Sequence, residues 1–495
     1  MGCFSRCLLH DFMQALRVAA LFANCLVGPA VAAPPIDTSP DRANTPLEPG
    51  LKQIGTLRPR GADEISASNW TLGCETLDRD FADYQQYKEY LVPLGIKTIR
   101  LQGGWAKTEK ERGTYDFTWL DTIIDDARGR GLNILLETDY GNPCYEGGGG
   151  WDLAGGFPTS EAALAAWDRW VETMAIRYRG KVRDWAMWNE PDINKQHNPP
   201  DIAAFNVRTA TIIKRVIPEA RIAGLSLASS SPKLLESCLA SLAEGGHVDL
   251  FDWFIYHGYS INPDQSYKNV NELKKVLAKY STKAKLRQGE NGCPSELTTR
   301  FALANHPWTE YSQAKWDLRR MLGDLGHDVE SAVFTICDFN HTGREINRKG
   351  LLRAAADKKV EKIKLAYYAV QNCAAVFDDT LERLKAPAIS IQYDEDTACF
   401  AYRHKKTGQN LIVLWDKSAP PGDAFLTRPA GITARDLAIR EPVWVDLVSG
   451  RAYQIPADRI STIEGATVFR DIPLYDSPIL IADRTALPLV PRETP

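Results

Sequence analysis

Several residue patterns that mark large functional classes are missing from this chain of 495 residues. No Cys-x-x-Cys pair occurs, and the eight histidines show no metal-site spacing, which excludes a zinc-finger or dithiol design. Basic residues do not predominate: 59 Lys and Arg stand against 63 Asp and Glu, a formal charge of −4, so no basic field exists to draw nucleic acid or anionic lipid. No glycine-rich phosphate loop follows the first strand pattern, and the four glycines at 147–150 lack a following Lys-Ser/Thr. Disorder is excluded for the bulk of the chain by a composition that is 44% hydrophobic and 25% charged.

Long apolar runs are absent except near the N-terminus, where "VAALFANCLVGPAVAAPP" follows Arg6 and Arg17. It is short, is broken by Asn24, Gly28 and Pro29, and ends in small residues. Residues 1–33 therefore read as a signal peptide, with export to the periplasm or outside and no membrane insertion after cleavage. Seven cysteines remain beyond it, an odd and scattered set that reads as buried packing with at least one free thiol.

Residues 34–60, rich in Pro, Thr and Asp, read as a linker. Over 61–385 a short β-rich run is followed again and again by a longer helical one. "LNILLET" precedes a helix whose Leu164, Trp167, Val171, Met174 and Tyr178 recur every three or four residues, with Ser160 as N-cap and Gly180 as stop. Eight such units, from a strand at Thr71–Glu75 to a last helix over Val360–Val376, predict an α/β fold of the closed (βα)8 TIM-barrel type. From 386 to 487 the pattern becomes short alternating strands, which predict a β-sandwich, with 488–495 as a tail.

In such a barrel the working residues stand at the C-terminal ends of strands. Glu190 ends the fourth strand in "WNEP" and Glu290 ends the seventh in "GEN", across the mouth from one another. Paired carboxyls there suit cleavage of a glycosidic bond, one protonating the leaving oxygen and the other attacking the anomeric carbon. Other strand ends offer Asn189, Arg100, His257, Tyr259, Trp105, Asp139 and Asp338 as candidates for binding a carbohydrate substrate, and the "CYEGGGGWDLAGG" loop as a candidate lid.

"WNEP" with "GEN" resembles the retaining glycoside hydrolases of clan A, nearest to family 39, with family 5 and its relatives next. The resemblance implies that Glu190 is the acid/base and Glu290 the nucleophile, and that Asn189 holds the sugar's 2-hydroxyl. "IRLQGGW" resembles the strand-two arginine of family 5, which implies that Arg100 contacts the nucleophile. "YHGY" resembles the strand-six His-x-Tyr, which implies that His257 lies in the substrate site and Tyr259 near Glu290. Two departures stand out: "FTICDFNH" has no tryptophan at the end of strand eight, and Asp139 stands where some members carry histidine. No metal or organic cofactor is called for. The expected activity is retaining hydrolysis of β-glycosides, with transglycosylation through the same intermediate, or sugar binding on a non-catalytic barrel, as alternatives.

Overall fold

A computed structural model describes residues 33–492 apart from Thr342, Arg344 and Tyr393. The expected signal peptide therefore lies, but for its last residue, outside the described residues.

Eight parallel strands form one sheet: Trp70–Gly73, Thr98–Gln102, Asn133–Thr138, Asp184–Met187, Arg221–Leu227, Trp253–Tyr256, Lys285–Gln288 and Ser331–Val333. Each pairs with the next in sequence up to the seventh, and the first pairs with the eighth in register Trp70↔Ser331. A bridge between Arg287 and Glu330 joins the seventh strand to the eighth and closes the barrel. Helices that follow the strands in sequence cover it, because strands buried on both faces need apolar partners outside.

Caps written in the sequence start these helices. Ser160 accepts from the Ala163 amide ahead of Glu161–Tyr178, while Asn198 and Ser231 cap helices that begin Pro199 and Pro232. Of the face that the spacing predicts on Glu161–Tyr178, Trp167, Val171, Met174 and Tyr178 are fully buried, with Trp170 beside them, and Leu164 is partly buried against the core. Burial of each large side chain there contributes about 1.5–3 kcal/mol.

Two stretches differ from the sequence expectation. Val360–Ile363 is a strand paired with Leu352–Ala354, and the last helix runs only over Leu365–Val376. The supposed linker contains the strand Lys52–Leu57, which pairs with Arg451–Gln454 on one side and Leu489–Pro491, in the supposed tail, on the other. The first, of six residues, lies one strand in from the sheet edge and the second, of three, forms the edge; both are too short for a local periodicity to mark them. They belong to an eight-stranded antiparallel sheet that starts with Leu381–Leu384 and faces a four-stranded one, the two layers of the sandwich.

All seven cysteines beyond the N-terminal segment are free thiols, five of them buried. No described helix is long and apolar enough to cross a membrane.

Candidate active site at the barrel mouth

Glu190 and Glu290 converge at the C-terminal end of the barrel on a cavity of about 360 Å³. A larger cavity, about 670 Å³, opens at the opposite end around Asp184, Arg221 and Lys285, far from both glutamates. Chemistry and the polarity of barrel folds favour the smaller one.

The backbone bends sharply to deliver Glu190. Trp188 and Glu190 both adopt left-handed conformations, with φ of 62° and 49°, a strained state held by the Glu190 amide donating to the Ser226 carbonyl at 2.9 Å. Asp192, in the turn that follows, accepts from the Ala228 amide at 2.7 Å and locks that turn to the end of the fifth strand.

Arg100, 1% exposed, organises the rest. Its Nη1 donates to Glu75 Oε1 at 2.9 Å and to Glu290 Oε2 at 3.0 Å, and its Nη2 donates to Glu137 at 2.8 Å and to Asn189 Oδ1 at 2.7 Å. Asn189 in turn donates to the Tyr140 hydroxyl at 2.8 Å, which fixes the amide's orientation. Tyr259 donates to Glu290 Oε1 at 2.8 Å, and His257 Nδ1 is hydrogen-bonded to Glu190 Oε1 at 2.8 Å.

These contacts split the two glutamates electrically. Burial pushes the Glu190 carboxyl up, the charge of Glu290 adds to that, and the bond from His257 only partly offsets it. Burial works the same way on Glu290, but there the charges of His257 and Arg100 and the bond from Tyr259 prevail, and its carboxyl lies below the usual glutamate value. The same cavity thus pulls the two carboxyls in opposite directions. Burial lifts Glu75 to about 7 against the pull of Arg100, which leaves more of the arginine's charge to Glu137 and Glu290.

Of the residues singled out from the sequence, Asn189, Glu190, Tyr259 and Glu290 line the cavity, and Arg100 stands directly behind them. His257 does not line it; the ring is fully buried and touches Glu190 from behind. Asp139 is likewise buried, with Oδ2 accepting from Gln102 at 2.9 Å. Trp105 is no sugar platform, because its ring is fully buried against Tyr145, Trp167 and Trp170 and its Nε1 donates to Glu109 at 2.6 Å. Asp338 points away into a buried ion pair with Lys364 at 2.6 Å and a second with Arg348 at 3.1 Å. A strand-end position fixes where a residue stands but not which way its side chain turns.

Other residues were missed. In place of the absent tryptophan, Phe334 just after strand eight and Phe339 line the cavity, and apolar rings suit the C–H face of a sugar. Phe339, His341 and Asn347 arrive on a hairpin that pairs Phe339–His341 with Glu345–Asn347, and Lys349 follows it. The candidate lid is folded tightly on itself: Gly141 donates to Gly150 at 2.8 Å and Gly150 to Gly155 at 2.7 Å. A Cβ on Gly148 would lie 2.0 Å from the Asn142 carbonyl, so close backbone approach explains the glycines there. Leu153 of this loop reaches the cavity.

One donor atom each from Glu190, His257 and Glu290 lies within 4.8 Å of the others, a set with the chemistry of a metal site. Arg100 and Tyr259 already hold both Glu290 oxygens, and a guanidinium 3.0 Å away repels a dication.

Comparison with solved structures finds a family 39 glycoside hydrolase from Bacteroides cellulosilyticus WH2, 17% identical, with a TM-score of 0.59 over 84% of this chain and 81% of that one. A monomeric β-xylosidase from Caulobacter crescentus CB15 is 15% identical, with a TM-score of 0.55 over 87% and 97%. A family 30 endoxylanase from Clostridium papyrosolvens C71 is 13% identical, with a TM-score of 0.54 over 88% and 98%. The fold is theirs. Locally, residues 77–144 match the sequence model of glycoside hydrolase family 42, described as Beta-galactosidase. β-Galactosidase BgaA of Clostridium cellulovorans is 33% identical over 61 residues, which cover 12% of this chain and 9% of that protein. The barrel-and-sandwich architecture thus agrees with the resemblance drawn from "WNEP" and "GEN", while the local match adds family 42 as a second affinity.

Proposed function

We propose that the protein is an exported retaining β-glycosidase. Glu290 attacks the anomeric carbon while Glu190 protonates the departing oxygen; Glu190 then takes a proton from the water that releases the glycosyl intermediate. Asn189, held between Arg100 and Tyr140, presents its amide to the 2-hydroxyl, and Phe334 and Phe339 face the ring. A carbohydrate is the substrate, in keeping with the glycosidase relatives.

The observation that carries the reading is the pairing of unlike carboxyls. One oxygen of each lies within 4.8 Å of one oxygen of the other, so both carboxyls can flank a single bond, as the close pair of a retaining enzyme requires. Their environments raise the pKa of Glu190 and lower that of Glu290, the division of an acid from a nucleophile.

Replacing each glutamate tests the assignment. Glu290→Ala should lower turnover of every aryl glycoside by roughly four orders of magnitude or more, whatever the leaving group. Glu190→Ala should cost roughly 10²–10⁴-fold on substrates with a poor leaving group and much less on activated ones. Azide should then restore turnover of the Glu190 variant with retained configuration. Equal losses on both kinds of substrate in both variants, with no rescue, would remove the assignment.

A further inference from the structure

Lys349 stands in the cavity wall, 2% exposed, with its ammonium 5.7 Å above the centre of the Tyr259 ring and 5.9 Å from that of Phe301. The other charged groups of the wall have partners. Arg79 pairs with Asp78 at 3.2 Å and with Asp152 at 2.8 Å, Glu75 and Glu290 share Arg100, and Glu190 is bonded to His257. Among the described residues, none forms an ion pair or side-chain hydrogen bond with the Lys349 ammonium. A buried cation left without an anion is costly. Burial accordingly pushes Lys349 down to about 8, with Cys293 and Glu290 offsetting only part of it.

The position of the cation says what it would meet. Tyr259, beneath it, donates to Glu290, so Lys349 lies beside the sugar ring that Glu290 would attack, not out toward the leaving group. Phe301 and Tyr259 flank it with apolar surface, which strengthens any charge interaction made there. A neutral sugar hydroxyl would satisfy one N–H of the ammonium and leave its charge unbalanced, whereas an anion would satisfy both.

We propose that Lys349 recognises an anionic substituent, a carboxylate or a sulfate ester, on the sugar ring held against Glu290, so that acidic sugars are the preferred substrates. This rests on the glycosidase reading and adds the class of sugar to it.

The test uses matched aryl β-glycosides in the gluco and galacto series, each as the neutral sugar, the uronide and the 6-sulfate. The full-length protein should turn over one anionic member with kcat/KM at least roughly 30-fold above its neutral counterpart, and the better anion identifies the source of the charge. Lys349→Met should collapse that ratio by a similar factor, and Lys349→Arg should restore part of it. A wild-type preference for neutral sugars, or a Lys349→Met variant that loses activity alike on all members, overturns the proposal and leaves the glycosidase reading standing. If no glycoside is turned over, the glycosidase reading fails. Calorimetry with free glucuronate, galacturonate and the 6-sulfates against glucose and galactose then decides the role of Lys349. Binding of an anionic sugar that Lys349→Met abolishes supports it, and no preference for the anion overturns it.

Discussion

At the floor of the barrel Arg221 grips Asp184 through two bonds, at 2.7 and 2.6 Å, and Arg383 pairs with Asp328 at the edge of the same cavity. At the mouth a single arginine serves Glu75, Glu137 and Glu290, while Lys349 forms no ion pair among the described residues. Each of these two floor pairs matches one cation to one anion with one partner reaching water, which makes it cheap to keep and small in effect. Mouth charges are mismatched and largely buried, so the group nearest each carboxyl moves its affinity for a proton up or down. Stability tolerates the first arrangement easily; chemistry requires the second, because two carboxyls in equal surroundings would not divide into an acid and a nucleophile.

The comparison breaks most visibly at Arg100. Arg100→Met leaves the buried Glu75 and Glu137 and the partly buried Glu290 without their cation, and thermal or denaturant unfolding should show a loss of about 3–5 kcal/mol. Turnover should fall as well, since Glu290 loses the charge that keeps it ionised. An unfolding curve unchanged from wild type would mean that the mouth is no more sensitive to charge than the floor.

A gentler cut sharpens it. Tyr259→Phe removes a hydrogen bond that lowers the Glu290 pKa, so that pKa must rise. Activity needs Glu290 ionised and Glu190 protonated, so it is lost on the acid side as Glu290 takes up a proton and on the basic side as Glu190 gives one up. The acid limb of the kcat/KM profile should therefore move to higher pH in the variant, by about one unit if the bond is worth about 1.4 kcal/mol. A basic limb that moves instead would reverse the roles of the two glutamates.

The smallest effect belongs to the floor. Arg221 is 40% exposed on its side chain, so water screens the pair, and Asp184→Asn should cost about 1 kcal/mol or less. Its kcat/KM should stay at the wild-type value; a change would tie the floor to the reaction.

How much of this was legible in the sequence follows from the same physics. Glu190 and Glu290 could be found because regular βα alternation counts strands, and strand ends converge in a barrel. Arg100 and Tyr259 both contact Glu290, as the motifs around them implied. Trp105 and Asp338 also stand past strand ends, yet the first turns into the layer of Trp167 and Trp170 and the second toward Lys364. Periodicity carries no sign for that turn. His257 and Asp139 were placed one layer too close to the substrate for the same reason. Lys349 was invisible because it follows an irregular hairpin after strand eight, where no repeat counts residues toward the mouth. The strands Lys52–Leu57 and Leu489–Pro491 were hidden because each gains its place by pairing across more than 400 residues of sequence, which no local window senses.

The most direct test of the unequal pair is to trap the intermediate. A 2-deoxy-2-fluoro glycoside with an activated leaving group, of the sugar that the substrate panel selects, should form a glycosyl ester that builds up faster than it hydrolyses. Peptide mass spectrometry should then find one sugar per chain, attached to Glu290. A label on Glu190, or steady turnover to inverted product with no covalent species, would contradict the account.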